Sequence, residues 1–578
     1  MELGRLDIDR SQWKKLAHIL AMRVAGSESL FETDSKLKEI ADEALTNFSF
    51  IQATKSENQE ITANAEFLNI DVSCVAASEV RTLGPELIAT SFYDRLGLAE
   101  QLSRLGFDET EAATAKAVIC ARLVAPGSDL ATHRWLRTNS AISELVGHDF
   151  SGVGKDAIYE IADALFDNKN QIESYLVTKE NELYPSNKRL FLFDLTNAYF
   201  EGRTIGNDLA QYGHSKEKRY DCTLVSLALL VDDRGLPIYS RIYPGNQSEP
   251  ETLSHVLSSI AQHLKFGLFA QDLPTVVMDK GIATKDNIAL IESYGLSYLV
   301  ITRSNQARHY VDDLTNNKDS FTKIKNSTDD CVYIKSIGDD QNQILCISER
   351  RAKKEEAITK TRTTRFISGF EKLLDSVKRG QYTKASTIER RIGKLTAEHR
   401  SIARRYEIET VIDENGKVTN LTLIPKPAVI DAAKVLYGAY VIETNRKDIA
   451  PQEIWQLYMT LTKVEDAFRA LKSDLGLRPI YHQLARRTAA HLFISVLAYH
   501  LYAAISMTLS HQDDNRSVST IISEVTTHSR LTVMLRDDQN QVHHLRISST
   551  PDPTQREIYS LLGIKDPLSR NKKVVAQL

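Results

Sequence analysis

Residues 188–202, KRLFLFDLTNAYFEG, carry the pattern that decides the fold. An unbroken apolar run from Leu190 to Phe193 is typical of a buried β-strand, and it ends on Asp194. Upstream, to about Asn181, the apolar residues have helical spacing, so the repeat changes here from helix to strand. The sequence therefore predicts that a sheet begins at this point and that its first strand ends on an acidic residue.

The segments that follow extend this sheet. The predicted elements are, in order, strands at 223–231 and 238–242, a helix that begins at 248–251, a strand that ends at Asp279, a helix at about 285–294 and a strand through Ile301. A ribonuclease-H-like fold has this order of elements, namely three strands, a helix, a strand, a helix and a strand. In such a sheet the strands of Asp194 and Asp279 are neighbours.

A third carboxylate lies in residues 451–482, PQEIWQLYMTLTKVEDAFRALKSDLGLRPIYH. Proline in the first turn, Gly and Pro after the last turn, and apolar residues with i, i+3, i+4 spacing predict one helix on a core. At about 100° per residue, Tyr458, Glu465 and Lys472 fall nearly in line. An ordinary ion pair of Glu465 with Arg469 or Lys472 would also explain this carboxylate.

Three converging carboxylates have a chemical meaning that a single one lacks. An aspartate at a strand end can simply cap a turn or a helix. Carboxylates that converge bind the divalent metal ions that drive phosphodiester cleavage and transfer. Asp194 and Asp279 in this strand order, with Glu465 on a helix behind them, therefore predict a metal site.

From Asp194 to His491 the chain resembles the DDE-type insertion-sequence transposases of the IS4-like superfamily, the group with a Tyr-x2-Arg-x3-Glu-x6-Lys signature. Tyr458, Glu465 and Lys472 match that spacing, whereas Leu461 stands where the signature has Arg. The phrases DLTNAYFEG, YPGNQSEPETL, VMDKGIATKDN and VEDAFRALKSDLGLRPIYH also resemble the family. The similarity extends over more than half of the chain.

The resemblance implies a DNA transposase that cuts at the ends of its insertion sequence and joins those ends to target DNA. Asp194, Asp279 and Glu465 would be the catalytic residues and would bind two Mg²⁺ or Mn²⁺ ions. Tyr458 and Lys472 would hold the DNA backbone near the scissile phosphate.

The leucine in the signature leaves one DNA contact without its usual residue. Arg469 and Arg478 are the candidates to replace the arginine that Leu461 displaces. The metal triad does not depend on that contact.

Two other functions share these features. One is a catalytically inactive, transposase-derived DNA-binding protein, and the other is a two-metal nuclease that hydrolyses DNA without strand transfer. All three have double-stranded DNA as partner, and cutting and joining two element ends favours a homodimer on DNA. The chain has no GxxxxGK[ST] loop, so ATP is not an expected cofactor.

The interval between the second and third carboxylates is too long for a bare connection and predicts a basic insertion domain at 305–439. Residues 350–406 contain 17 Lys and Arg and 6 Asp and Glu, whereas the whole chain has a formal net charge of −4. The spacing predicts a helical hairpin joined near Gly380, flanked by strands. Such charge usually covers a solvated helix face, but beside a nuclease core it favours contact with DNA phosphates.

The other boundaries divide the chain into an N-terminal part, an interrupted core and a tail. They are a poorly defined N-terminal arm at 1–75, a helical domain at 76–185, a ribonuclease-H-like catalytic core at 186–304 and 440–512, and a C-terminal extension at 513–578. The helical domain contains the basic turn RLVAPGSDLATHRWLR, which is compatible with DNA binding and equally with a plain helical bundle.

His482, His491 and His500 recur every nine residues. Nine steps of about 100° place neighbours on opposite helix faces, so they are expected to be structural or phosphate-contacting, and not joint metal ligands. The nearly uncharged run at 492–509 is long enough to span a membrane. It contains a histidine and two tyrosines, and we interpret it as a buried core helix.

The composition, with 42% hydrophobic and 26% charged residues, is that of a soluble globular protein. The length of 578 residues predicts roughly four domains. The first residues, MELGRLDIDRSQWKK, do not resemble a secretory signal, so a cytoplasmic location is expected. The five cysteines show no CxxC pairing, which favours reduced structural thiols.

Overall fold

The structure is a computed structural model. It describes Leu16 and residues 68–186, 190–214, 219–263, 274–302, 306–316, 320–325, 331–337, 343–414, 416–568 and 572–577. The expected arm at 1–75 therefore lies, except for Leu16 and 68–75, outside the described residues. The chain forms two compact units. One is Met1–Ala77, Val533–Leu545 and Lys573–Leu578, and the other, which carries the candidate site, is Ser78–Thr532 and Arg546–Lys572.

The N-terminal part of the larger unit is helical. After strand β1 (Ala76–Thr82) come α1 (Gly84–Arg95), α2 (Leu98–Arg104), α3 (Glu109–Val124), α4 (Asp129–Thr138), α5 (Ile142–Val146), α6 (Lys155–Asp167) and α7 (Lys169–Leu183). Local signals set these bounds. Asp108 and Glu111 form a reciprocal capping box at the start of α3, and the Ser128 hydroxyl caps α4.

Next come the elements that the sequence predicted in the same order. They are β2 (Leu190–Tyr199), β3 (Leu224–Val231), β4 (Pro237–Pro244), α8 (Glu249–His263), β5 (Thr275–Met278), α9 (Lys285–Ser293) and β6 (Ser297–Ile301). Asp194 was expected to be the last residue of its strand, and this expectation is wrong. Asp194 lies in the middle of β2, because pairing with β3 continues as far as Tyr199.

The segment between the core strands contains both sheet strands and the basic helices. Its elements are α10 (Val311–Asn316), β7 (Thr322–Lys325), β8 (Cys331–Ile337), β9 (Gln343–Ser348), α11 (Glu349–Lys378), α12 (Ala385–Glu398), α13 (Arg400–Ala403), β10 (Tyr406–Ile412), β11 (Val418–Pro425), α14 (Pro427–Val435) and β12 (Ala439–Thr444). The predicted hairpin is confirmed as α11 and α12, and Gly380 in their connection has a φ of +70°, which glycine adopts readily.

The strands form one nine-stranded sheet in the order β4-β3-β2-β5-β6-β12-β9-β8-β7. β2, β5 and β6 are parallel to one another, and the other neighbours are antiparallel. The fold is thus mixed α/β with a large mixed sheet, which is compatible with a ribonuclease-H-like core. Strands β7, β8 and β9, in the segment predicted as an insertion, extend this same sheet beyond β12.

Alternating side chains give the core strands two buried faces. On one face, Phe191, Phe193 and their neighbours pack against α8 and α9. On the other, Leu190 and Leu192 belong to the main core. The hairpin packs with β11 around a separate small core that contains Phe370, Leu373, Val377, Ile388, Val418 and Leu421.

Three helices complete the main core, and the first two of them occupy the segment that was predicted to form one helix. They are α15 (Pro451–Met459), α16 (Thr462–Ser473) and α17 (Ala485–His511). Helix α17 is long and apolar enough to cross a membrane, but 78% of its most apolar window is buried inside the protein. The interpretation as a core helix is therefore confirmed by its burial.

The C-terminal elements are α18 (Val518–Glu524), β13 (Ser529–Arg536), β14 (Gln541–Ser548), α19 (Pro553–Leu561) and β15 (Lys572–Gln577). These elements lie in the segment 513–578 that was predicted as a C-terminal extension. All five cysteines are free thiols, as expected, and Cys120, Cys331 and Cys346 are buried.

Candidate active site

Pairing of β2 with β5 brings Asp194 and Asp279 together. The last pair of this parallel ladder joins Phe193 to Met278. Asp194 and Asp279 are the next residues along the two chains, and neighbouring strands lie about 4.8 Å apart. Although Asp194 lies within β2, both aspartates are therefore adjacent at the carboxyl end of the parallel ladder.

Both aspartates lie on the sheet face that the main core covers. Side chains alternate along a strand, so Asp194 shares its face with Leu192, and Asp279 continues the face of Val277. Leu192 and Val277 belong to the main core, whereas the intervening Phe193 and Met278 belong to the core on the opposite face. The two carboxylates are therefore directed to the same side of the sheet.

Backbone amides next to the two aspartates orient their carboxylates. The N–H of Leu195 donates to Oδ1 of Asp194 at 2.8 Å, and the N–H of Lys280 donates to Oδ1 of Asp279 at 2.7 Å. Asp194 is half-buried and Asp279 is exposed. One oxygen of each side chain is thus held beside its own backbone.

Glu465 lies on α16, which packs on this same face against β2 and β3. The helix is fixed by buried side chains on its inner side, namely Val464, Ala467, Phe468 and Leu471. Glu465 itself is exposed next to that apolar stripe. The ion pair with Arg469 that was considered for it does not form, because Arg469 pairs with Asp466.

Tyr458 lies within electrostatic reach of both the second and the third carboxylate. Burial is the main cause that raises the pKa of its hydroxyl, and the negative charges of Asp279 and Glu465 raise it further. Arg351 acts in the opposite direction. Each of these charges acts on one phenol group, so Asp279, Glu465 and Arg351 all lie within electrostatic reach of Tyr458.

The predicted alignment of Tyr458, Glu465 and Lys472 on one helix is wrong. The helix ends at Met459 and restarts at Thr462. In the junction the N–H groups bond to carbonyls three residues back, as from Leu461 to Tyr458 at 3.0 Å, so this turn is tighter than an α-helix. Two threonine hydroxyls in the junction also bond to backbone carbonyls, which bends helices.

The predicted DNA-contacting cations have different surroundings. Lys472 is half-buried in the last turn of α16, on the same helix as Glu465. Arg469 is exposed and lines a cavity of about 580 Å³ on another side of that helix. Arg478 lies over the Tyr199 ring at 5.7 Å, and burial lowers its pKa. By strand alternation Tyr199 is on the opposite face of β2 from Asp194, so Arg478 is not brought to the carboxylates.

Sequence spacing gave the wrong geometry for the histidines. His482 precedes α17, and its ring centroid lies 5.3 Å from that of His491 inside the helix. The two meet Asp129, with His482 Nε2 at 3.3 Å from its Oδ2, and the possible ligand atoms of the three residues lie within 4.8 Å of one another. His500 is separate and is paired with buried Glu180 at 2.7 Å.

This Asp-His-His cluster has a donor set that could bind a metal ion, but it already contains a cation. The Arg122 guanidinium is 2% exposed, lies 3.2 Å from His491 Nδ1 and 3.6 Å from Asp129 Oδ1, and donates to the Gly476 carbonyl at 3.2 Å. A metal ion would place a second positive charge beside a permanently charged side chain. We therefore interpret the cluster as a structural polar network.

This network predicts that acid destabilises the protein. Burial, with the Arg122 charge second, lowers the pKa of His491 well below its ordinary 6.5. Burial alone would raise the pKa of Asp129, but the His482 hydrogen bond and nearby positive charges lower it from 3.8. Both groups bind protons more readily in the unfolded state, so stability is full above about pH 6.5 and falls as the pH decreases.

Between pH 7.5 and 5.5 we expect His491 to contribute a loss of about 1 kcal/mol in the free energy of unfolding, measured by urea denaturation. His528 is also buried with a lowered pKa and adds a loss in the same direction. The matched variant His491→Gln isolates the first contribution and should have a shallower pH dependence. An identical slope in the two proteins would contradict the prediction.

Sequence reasoning missed Asp129 and Arg351. Neither has a local signal, since Asp129 reads as the first residue of an ordinary helix and Arg351 as one of many cations in a basic segment.

A protein-family model described as "Transposase DDE domain" matches residues 185–501, more than half of the chain. The match includes all three predicted carboxylates. No curated protein matches the sequence.

Proposed function

The chain belongs to the transposase DDE domain family, and from that premise we propose that it cuts DNA at the ends of its insertion sequence and joins them to target DNA. The observation that carries the proposal is the register of β2 and β5, which makes Asp194 and Asp279 adjacent on the face packed by the helix of Glu465. The strand order β4-β3-β2-β5-β6 supports a ribonuclease-H-like core.

Asp194, Asp279 and Glu465 would bind two Mg²⁺ or Mn²⁺ ions. Three carboxylates from separate elements suit these cations, which prefer oxygen ligands. Bound ions of this kind supply a nucleophile at neutral pH and offset negative charge on the leaving oxygen. Burial is the main cause that raises the pKa of Tyr458, and the charges of Asp279 and Glu465 both raise it further, which supports a common site for these two carboxylates.

Four further side chains are candidates to bind and orient the DNA. The Tyr458 hydroxyl stays protonated at neutral pH and can donate to a phosphate oxygen beside the carboxylates. Lys472 supplies a positive charge from the same helix as Glu465. Arg469 and Arg478 remain weaker candidates, since one pairs with Asp466 and the other stacks on Tyr199.

The basic hairpin of α11 and α12 would lie along the DNA backbone. Its hydrophobic side packs on its own small core, while most of its cations are exposed, among them Lys353, Lys354, Lys360, Arg362, Arg365, Lys372, Arg390, Arg391 and Lys394. Contacts of this type give salt-dependent affinity that is largely independent of sequence. The helical region at 76–185 is a second candidate DNA-binding surface.

The wider assignment follows from the same reaction. We propose the subgroup with the Tyr-Arg-Glu-Lys signature, a cytoplasmic location where the DNA is, and a homodimer on DNA that holds two element ends. We also propose that the catalytic core comprises 186–304 and 440–512, is interrupted by the basic insertion at 305–439 and follows a helical domain at 76–185.

The test is a cleavage and joining reaction on labelled DNA that carries the element ends, with Mg²⁺ or Mn²⁺. We expect metal-dependent cutting at the ends and, with a target plasmid added, covalent joint products on a gel. Omission of the metal with EDTA is the control. Cutting without joint products would favour the two-metal nuclease, and binding without cutting would favour the inactive DNA-binding protein.

A further inference from the structure

The helix junction directs the position of the signature arginine into the protein core. Leu461, which stands at its position, is 8% exposed and belongs to the main core. A residue directed into that core does not contact a phosphate. Any cation that does so beside Tyr458 must therefore come from another element.

Arg351, in the first turn of α11, comes to this position from the basic segment. Its guanidinium carbon lies 5.1 Å from the centroid of the Tyr440 ring. The Tyr440 ring in turn lies 6.5 Å from the Tyr458 ring. Arg351 also acts electrostatically on Tyr458, as do Asp279 and Glu465. The guanidinium thus lies one aromatic ring away from Tyr458, although it is distant from Tyr458 in sequence.

The surrounding structure holds this side chain in place. Arg351 Nε donates to Oε1 of Glu355 at 2.9 Å, and the N–H of Gly438 donates to Oε2 of Glu355 at 2.9 Å. Gly438 has a φ of +77°, and a Cβ there would lie 2.4 Å from the Ser348 carbonyl oxygen, so only glycine fits. The chain of contacts from Gly438 through Glu355 orients Arg351.

The Arg351 side chain is nevertheless accessible. It is 38% exposed, and its partner Glu355 is 33% exposed. Guanidinium groups bind phosphate oxygens through two parallel hydrogen bonds, which fixes the orientation of the phosphate. Such a contact would also offset the repulsion between a DNA strand and the nearby carboxylates.

We propose that Arg351 contacts the DNA phosphate next to the scissile bond, in the role that Leu461 leaves vacant, and that Glu355 positions it. This inference rests on the proposed transposase function. It assigns to the basic segment a residue of the active site, in addition to a surface for DNA.

The test combines a protein variant with a DNA variant. Element-end DNA is prepared with a single neutral methylphosphonate at successive positions around the cleavage site, and cutting is measured at matched DNA occupancy. Arg351→Ala should cut unmodified DNA about 10- to 100-fold more slowly, the loss expected for one hydrogen-bonded contact to a charged group. Arg351→Lys, which keeps the charge but not the planar fork, should be intermediate.

The diagnostic result is the loss of sensitivity to one position. In the unmodified protein, methylphosphonate at the phosphate bound by Arg351 should slow cutting strongly, whereas in Arg351→Ala the same substitution should add little. Lys434→Ala, which removes an exposed cation on α14 that pairs with Asp431, is the control and should keep the full sensitivity.

Two outcomes would overturn the inference. If every methylphosphonate slows Arg351→Ala as much as it slows the unmodified protein, Arg351 does not contact a phosphate at the site. If the unmodified protein does not cut at all with either metal ion, the proposed function fails and this role for Arg351 fails with it.

Discussion

Glu465→Gln is expected to slow metal-dependent cutting of element-end DNA on the order of 10³-fold at matched DNA occupancy, with little change in DNA binding. A metal-binding carboxylate contributes to transition-state stabilisation worth several kcal/mol, and each ~1.4 kcal/mol is tenfold in rate. Glu465 is exposed beside the apolar stripe of α16. Exchange for an amide of the same shape should therefore leave the fold intact.

The matched control for this prediction is Asp466→Asn. Asp466 is the next residue on the same helix, is also exposed and pairs with exposed Arg469. Surface pairs of this kind contribute about 0–1 kcal/mol, so both stability and cutting should change little. Cleavage by gel assay and binding by fluorescence anisotropy measure the two effects separately. If Glu465→Gln and the unmodified protein cut equally, Glu465 is not a ligand and α16 does not carry the third catalytic carboxylate.

Arg122→Met is expected to lower the free energy of unfolding by about 3–5 kcal/mol, because it leaves a buried carboxylate without its cation. Arg122 and Asp129 are 2% and 3% exposed. The guanidinium also contacts His491 on α17 and donates to the Gly476 carbonyl just after α16. It therefore connects the N-terminal helices to the segment that follows the helix of Glu465.

Urea denaturation at pH 7.5 measures the effect, with Arg134→Met as control. Arg134 is exposed on α4, and its loss should cost less than about 0.5 kcal/mol. The double variant Arg122→Met with Asp129→Leu should recover much of the stability, because an apolar pair removes the unpaired charge. A loss below about 1 kcal/mol for Arg122→Met alone would show that the guanidinium is not required to neutralise Asp129.

Local sequence patterns were sufficient to predict the order of the core strands, the basic hairpin and the adjacency of Asp194 and Asp279. The strands and the hairpin follow from short-range properties, namely the alternation of side chains along a strand and the spacing of apolar residues along a helix. The adjacency of the two aspartates follows from the strand order of a ribonuclease-H-like fold, in which their strands are neighbours. The position of Asp194 within its strand was not predicted, because the length of β2 depends on its pairing with β3.

Only the tertiary structure decided the features that depend on contacts between residues distant in sequence. Burial of Leu461 and the tight turns beside it divide the predicted helix, which periodicity at one fixed angle cannot reveal. The grouping of Asp129 with His482 and His491, and of Arg351 with Tyr458, joins residues that are far apart in sequence. The sequence by itself therefore determined the family and its candidate carboxylates, whereas the cations around them were fixed only by packing between distant elements.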